Sequence, residues 1–97
     1  MADRLVTEHR RLAILRHLEK SSEFTSNASI LIDVVNGVGV GTNHDQMLAA
    51  LAWLDEQELI EMVDHGHLVV AVATARGADV ATGRTTHPGV KRPTARR

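Results

Sequence analysis

The chain has 97 residues, of which 43% are hydrophobic, but it contains only one Trp, one Phe and no Tyr. A chain of this length can bury one modest core, here built from Leu, Ile, Val and Ala, and has no room for two independent domains. Because cysteine is absent, a disulfide framework, a thiolate zinc site and a cysteine nucleophile are excluded.

The formal net charge of −1 conceals an uneven distribution along the chain. Residues 1–83 hold all 12 acidic residues and only six of the 11 basic ones, so the last 14 residues hold the other five. After a folded domain over residues 1–83, prolines, glycines and the lack of an apolar period predict a flexible basic tail over residues 84–97. No apolar run approaches the roughly 20 residues of a membrane span, so we expect a cytoplasmic protein without membrane contact.

Residues 3–20 are predicted to form the first helix. Their leucines recur at helical spacing, which predicts one face buried in the core. The opposite face is predicted to be basic and exposed to solvent, where it could contact phosphates. Its members are Arg4, Arg10, Arg11, Arg16 and Lys20.

A second helix is predicted over residues 28–36, with Ser26 and Asn27 as candidate caps. Glycines at positions 37, 39 and 41 predict a tight turn after it. Thr42, followed three residues later by Asp45, predicts a capping pair at the start of a third helix. The inward stripe of that helix is formed by Met47, Leu51 and Leu54.

After Glu58 the pattern changes from helical to strand-like. Residues 59–63 and 68–72 are short, rich in β-branched side chains and separated by a glycine-containing connection, which predicts a hairpin. Residues 75–82 are predicted to form a short closing helix. Three helices, a hairpin and a closing helix in this order predict a winged helix-turn-helix, a mainly α fold with a small β-hairpin (α+β).

Two stretches resemble parts of known winged-helix regulators of the ArsR and MarR type. Leu51–Ile60 resembles the end of their recognition helix and the start of the wing, and Thr74–Ala81 resembles the entry to their closing helix. Nearly the whole chain also resembles small winged-helix proteins encoded by Mu-like prophages. The shared features are Asp45 and Gln46, the run Ala52–Leu54, the turn at Arg76 and Gly77, and the ending Pro88–Pro93.

The ending Pro88–Pro93 is the most specific of these features, because neither folding nor helix-turn-helix geometry is expected to require it. The prophage resemblance implies a phage gene near the head and DNA-packaging region. It also implies a DNA-binding-like fold, and it brings no assigned activity with it.

A winged helix reads DNA by placing its third helix in the major groove, where exposed Arg, Lys, Asn and Gln side chains meet base edges. Here Asn43, His44 and Gln46 are the candidate base readers, and the basic residues of the first helix and the tail are candidate phosphate contacts. The candidate DNA-binding residues are Asn43, His44, Gln46, Arg4, Arg10, Arg11, Arg16, Arg84, Lys91, Arg92, Arg96 and Arg97.

The charge of the third helix leaves a second function open. Residues 43–64 carry six acidic residues and no Lys or Arg, and Asn43 and His44 could simply occupy the first turn beside its cap. The leading hypothesis is a phage-derived DNA-binding protein that binds double-stranded DNA as a transcriptional regulator or a packaging accessory. The alternative is a protein-interaction module in phage assembly, whose acidic third helix and wing dock on another, basic phage protein.

Catalysis and cofactor binding find no support in the sequence. There is no nucleophile beside a base, no phosphate-binding glycine loop and no recognisable carboxylate pair, so we expect neither an enzyme nor a cofactor. His65 and His67 lack a third ligand, and turn positions explain them better than a metal site. A homodimer is expected, because Val6, Ile14 and Ile30 exceed what one small core needs.

Overall fold

The computed structural model describes residues 3–94, and over that range it contains four α-helices and a three-stranded antiparallel sheet. In chain order the elements are α1 (Arg4–Lys20), a 3-10 turn (Ser22–Phe24), β1 (Thr25–Asn27), α2 (Ala28–Gly37), α3 (His44–Glu56), β2 (Ile60–Asp64), β3 (Val69–Ala73) and α4 (Ala75–Thr82). The strand order is β1-β3-β2. This α+β arrangement follows the predicted order of helices and hairpin and is consistent with a winged-helix-like fold.

Each α-helix starts at a short polar side chain that accepts a hydrogen bond from the backbone of the first turn. The caps of α1, α2, α3 and α4 are Asp3, Asn27, Asn43 and Thr74. Such caps satisfy backbone N–H groups that have no partner inside the helix, and each contributes about 1 kcal/mol. The sequence therefore supplies a capping side chain at the start of each of these four helices.

The predicted capping pair of Thr42 and Asp45 is wrong by one position. Asn43 is the cap, and it forms a capping box with Gln46. Thr42 is instead buried, and its hydroxyl donates to the carbonyl of Val40 at 2.8 Å. The longer Gln46 side chain reaches back to the backbone N–H of Asn43, which the shorter carboxylate of Asp45 does not do.

Helix α1 runs through the middle of the molecule, where it contacts α2, α3, α4 and β3. Leu12, Ile14, Leu15 and Leu18 are each at most 1% exposed, and Arg10 is buried as well. A helix that is packed on several sides cannot present five basic side chains on one solvent face. The predicted basic face of the first helix is therefore wrong for Arg10 and Arg11, whereas Arg4, Arg16 and Lys20 are exposed as predicted.

The predicted dimer seam loses one of its three members, because Ile14 belongs to the core of the single chain. Val6 and Ile30 are 40% and 48% exposed, at the first turns of α1 and α2 respectively. The homodimer itself stays a prediction.

The predicted hairpin is present, with each strand displaced by one residue along the chain. Its register pairs Ile60 with Ala73 and Asp64 with Val69. Strand β1 was not predicted, because three polar residues carry no alternating pattern. Its backbone pairs with the free edge of β3, so β1 is held by ladder hydrogen bonds rather than by apolar side chains.

Helix α4 has the predicted bounds, and Gly77 explains how it packs. A Cβ atom at position 77 would overlap the carbonyl oxygen of Leu59 and crowd the side chain of Leu15. The glycine therefore lets α4 lie directly against the chain that leads into β2.

The prediction of a flexible tail is corrected for residues 84–94, which we call the C-terminal strap. The strap packs on the folded body, where Val90 is 4% exposed and part of the core. The backbone N–H of Lys91 donates to the carbonyl of Glu8 in α1 at 3.2 Å. The composition of this segment predicted that it is unfolded, but one buried apolar residue and a few backbone hydrogen bonds hold it on the folded body. Two predicted site residues, Arg96 and Arg97, lie outside the described residues.

Candidate functional site

The first turn of α3 holds the three predicted base readers. The Asn43 side chain accepts from the backbone N–H of Gln46 at 2.8 Å, and the Gln46 side chain accepts from the backbone N–H of Asn43 at 2.9 Å. Both amide oxygens are therefore used in the helix cap. His44 is exposed and is not part of the capping box. It is therefore the one predicted base reader whose side chain is not used in capping the helix.

The exposed side of α3 and the adjoining β2 strand carry a set of carboxylates that we call the acidic face. Every member is exposed, and between residues 43 and 64 there is no Lys or Arg. The members are Asp45, Asp55, Glu56, Glu58, Glu61 and Asp64. Within residues 3–94 the single ion pair joins Arg4 and Glu8 at 3.8 Å, so no carboxylate of the acidic face is in an ion pair there. The neighbouring cation is Arg76, whose Nη1 donates to the carbonyl of Gln57 at 3.3 Å. The potential of the acidic face repels phosphates and attracts cationic groups.

Apolar side chains accompany these carboxylates on the hairpin. Val63 is 46% exposed on β2, and Leu68 is 39% exposed just before β3. Two carboxylates of the acidic face, Glu61 and Asp64, lie on the same strand as Val63. The hairpin therefore presents negative charge beside partly exposed hydrophobic surface.

Arg10, a predicted phosphate contact, faces inward. Its Nε donates to the hydroxyl of Thr42 at 2.8 Å, and its Nη2 donates to the carbonyl of Gly41 at 3.0 Å. The Asn36 side chain also donates to the carbonyl of Thr42 and accepts from its backbone N–H, both at 2.9 Å. Arg10 thus fixes the turn between α2 and α3, and the prediction that it contacts phosphates is corrected.

Arg11, a second predicted phosphate contact, is engaged with Trp53. The guanidinium carbon lies 3.7 Å from the centroid of the indole ring, and Nη1 donates to the carbonyl of Gly89 at 2.9 Å. Its Nε is buried without a hydrogen-bond partner among residues 3–94. Desolvation lowers the pKa of Arg11, while the carboxylate of Glu8 opposes that shift. The side chain links α1, α3 and the strap rather than facing a ligand.

The strap is held against Trp53 by Gly89 and His87. A Cβ atom at position 89 would lie 2.5 Å from the indole ring. The ring of His87 meets Trp53 edge-on with centroids 5.2 Å apart. His87 Nδ1 accepts from the backbone N–H of Gly89 at 3.1 Å, and Nε2 lies 3.1 Å from Oε1 of Gln57. Since Nδ1 accepts, the ring is neutral with its proton on Nε2, which donates to Gln57.

The remaining predicted phosphate contacts lie on the surface. Arg4, Arg16, Arg84 and Arg92 are exposed, and Lys91 is half-buried. Arg4 faces the carboxylate of Glu8. These residues come from α1 and the strap, so none of them belongs to the acidic face.

The described residues show neither a metal centre nor a membrane-spanning helix. Over residues 3–94, no three His, Asp or Glu side chains form a group that could hold a metal ion. No helix in that range combines the length and apolar character required to cross a bilayer.

Comparison with known proteins shows that this chain is similar to one phage protein and one bacterial protein. The uncharacterized protein gp26 of Escherichia phage Mu is 39% identical over 93 residues, which cover 96% of each chain. An uncharacterized protein of Haemophilus influenzae is 33% identical over 70 residues, which cover 70% of this chain and 68% of that protein. No family model and no solved structure matches. The Mu protein supports the predicted origin in a Mu-like phage.

Proposed function

This chain belongs to the family of the Mu phage protein gp26, and on that premise we propose that it is a non-enzymatic protein-interaction module of phage assembly with a winged-helix fold. The acidic face docks on a basic protein surface. The observation that carries the proposal is the charge of residues 43–64, which hold six exposed carboxylates and neither Lys nor Arg.

The same charge opposes groove reading by α3. Double-stranded DNA carries one negative charge per about 1.7 Å of helix axis, and proteins bind it by neutralising phosphates with Lys and Arg. A major-groove position for α3 would bring carboxylates such as Asp45 and Glu56 toward that charge. Each pair of like charges about 4 Å apart costs about 1 kcal/mol even in water.

A protein partner also accounts for the apolar part of this surface. Partly exposed Val63 and Leu68 lie beside the carboxylates of β2. An apolar centre with a polar rim is the usual composition of a protein interface. A phosphodiester backbone offers nothing for those two side chains to pack against.

DNA binding through exposed arginines of α1 and the strap is the second candidate function. It is favoured by Arg16, Arg84 and Arg92, which are exposed and form no ion pair within residues 3–94. These cations would contact phosphates without reading bases, as in a packaging accessory or in non-specific attachment of a regulator. Asn43, His44 and Gln46 would then not face the DNA.

Titration of labelled DNA at low salt tests whether α3 reads DNA. For a protein-docking module we expect no sequence preference between phage and random duplexes. If α3 reads DNA, replacing Ala49 by Glu weakens binding, because Ala49 is exposed on that helix and the new carboxylate faces phosphate. Sequence-specific binding that is lost in Ala49→Glu overturns the proposal.

A matched pair of variants tests the second candidate. If Arg16 and Arg92 contact phosphates, each change to Gln lowers the slope of log affinity against log salt by about 1. The second candidate is supported instead if DNA binding has no sequence preference, weakens when Arg16 or Arg92 is changed, and is unaffected by Ala49→Glu.

A further inference from the structure

A groove with basic walls runs along the exposed side of α1. The carboxyl-terminal ends of α2 and α4 and residues 93–94 of the strap complete it. Its cationic and imidazole side chains are those of His9, Arg16, His17 and Lys20, and the one acidic side chain that lines it is Glu19. We call this feature the basic groove.

The floor of the basic groove is apolar. Leu12, Ala13 and Ala81 form its buried part, and Val34 and Val38 extend it to the surface. Val38 is 58% exposed, so it adds apolar surface that is open to a ligand at the edge of the groove. A ligand that fits the groove therefore combines negative charge with hydrophobic side chains.

The acidic face of the same chain has that composition. It carries carboxylates on α3 and β2 together with partly exposed Val63 and Leu68. The basic groove is built from α1, α2, α4 and the strap, so the two surfaces share no residue. One copy of the chain can therefore use both surfaces at once.

We propose that the acidic face of one copy docks in the basic groove of the next copy. This inference rests on the proposed function, because it names a second copy of the chain as a basic partner of the acidic face. Complementary charges select this contact over face-to-face or groove-to-groove pairing, each of which brings like charges together. The apolar floor selects a protein segment over a nucleic-acid backbone, which would leave Val38 uncovered.

Such a contact joins two different surfaces and does not close on itself as a two-fold dimer does. Repetition produces a ring or an open filament, depending on the rotation between copies. The expected assembly is thus larger than the homodimer predicted from the sequence.

Charge-reversal variants of the two surfaces test the proposed contact. The groove variant carries Arg16→Glu and Lys20→Glu, and the face variant carries Glu56→Lys and Glu61→Lys. All four side chains are exposed, and none has a hydrogen bond or ion pair among residues 3–94. Circular dichroism and thermal unfolding confirm that each variant folds.

Sedimentation velocity of the full chain then measures assembly. At low salt the wild type forms species beyond the dimer, and salt of about 0.5 M dissociates them because it screens the contact. Each variant alone associates on the order of 100-fold more weakly, because like charges face each other. An equimolar mixture of the two variants associates again, since each reversed surface then meets its complement.

Several results overturn the inference. They are a wild type that is monomeric at every concentration, a dimer that neither variant weakens, and a mixture of variants that fails to associate although both are folded. A monomeric chain whose acidic face binds a different phage protein overturns the self-assembly and leaves the proposed function standing.

Discussion

The guanidinium of Arg11 stacks on the indole of Trp53, with its central carbon 3.7 Å from the ring centroid. The same guanidinium donates to the carbonyl of Gly89 at 2.9 Å. One side chain of α1 is therefore in contact with α3 and with the strap. The cation–π contact contributes about 0.5–1 kcal/mol at exposed sites and more when desolvated, so this junction holds the end of the chain in place.

Gly89→Ala is expected to detach the strap, because the new methyl group would lie 2.5 Å from the Trp53 ring. Overpacking of this kind costs about 1–3 kcal/mol. Thermal unfolding and limited proteolysis of residues 84–94 measure the effect. Gly41→Ala is the control, since nothing lies within 4 Å of a Cβ there. Equal protease resistance of the two variants would show that the strap does not depend on the Trp53 contact.

Gly77→Ala is expected to be among the most destabilising small changes in the chain. The added methyl group overlaps the backbone of Leu59, which cannot move without disturbing the start of β2. We expect a loss of at least about 1–3 kcal/mol in chemical unfolding. Gly37→Ala has open space around its Cβ and is expected to stabilise by about 0.4–1 kcal/mol. Similar effects at the two positions would contradict the close packing of α4.

Attachment of the strap is expected to depend on pH through the His87 ring. Desolvation, followed by the charges of Arg76 and Arg11, lowers the pKa of His87 below its ordinary value of 6.5. The folded chain therefore favours the neutral ring. This contribution to stability is present above the unfolded pKa and is lost as pH falls through the folded one.

Trp53 fluorescence and the NMR shifts of His87 are expected to change together, with a midpoint below pH 6.5. The protonated ring can no longer accept from the N–H of Gly89, so strap contacts loosen. His87→Gln removes this titration while leaving an amide to bond Gln57. A titration midpoint of His87 above pH 6.5 would contradict this role of His87. So would a pH-dependent change in Trp53 fluorescence that is the same in His87→Gln as in the wild type.

Arg10→Ala is expected to destabilise the turn between α2 and α3. The change leaves the hydroxyl of Thr42 and the carbonyl of Gly41 without the donor that now satisfies them, at a cost of about 1–3 kcal/mol. Arg16→Ala, on the exposed side of the same helix, is expected to change stability by at most about 0.5 kcal/mol. Denaturant unfolding measures both free energies of unfolding. Equal values for the two variants would contradict a structural role for Arg10.

Periodicity and turn chemistry were sufficient to predict the helices and the hairpin, because those signals are local. The packing of Arg10 and Arg11 was not predicted, since the burial of a central helix depends on elements that follow later in the chain. Neighbouring residues on a helix point about 100° apart, so two adjacent arginines already argue against a single basic face.

The role of Pro88–Pro93 was missed for the same reason. Folding was expected not to require that ending, yet Gly89 fits against Trp53 and Val90 enters the core. The lone tryptophan in a chain poor in aromatic residues was the available signal, because a half-buried indole needs a neighbour to cover it. Nothing in the sequence near Gly89 identifies Trp53 as that neighbour.

The molecule that docks on α3 can be identified by crosslinking from Ala52, which is exposed on that helix. A photo-crosslinking amino acid is placed there, or at exposed Ala75 on α4 as the control, in cells producing the phage. If the acidic face docks on a protein, position 52 gives a protein adduct that Glu56→Lys and Glu61→Lys diminish, and position 75 gives less of it. A nucleic-acid adduct at position 52 would instead place α3 against DNA and rule out docking of the acidic face on a protein.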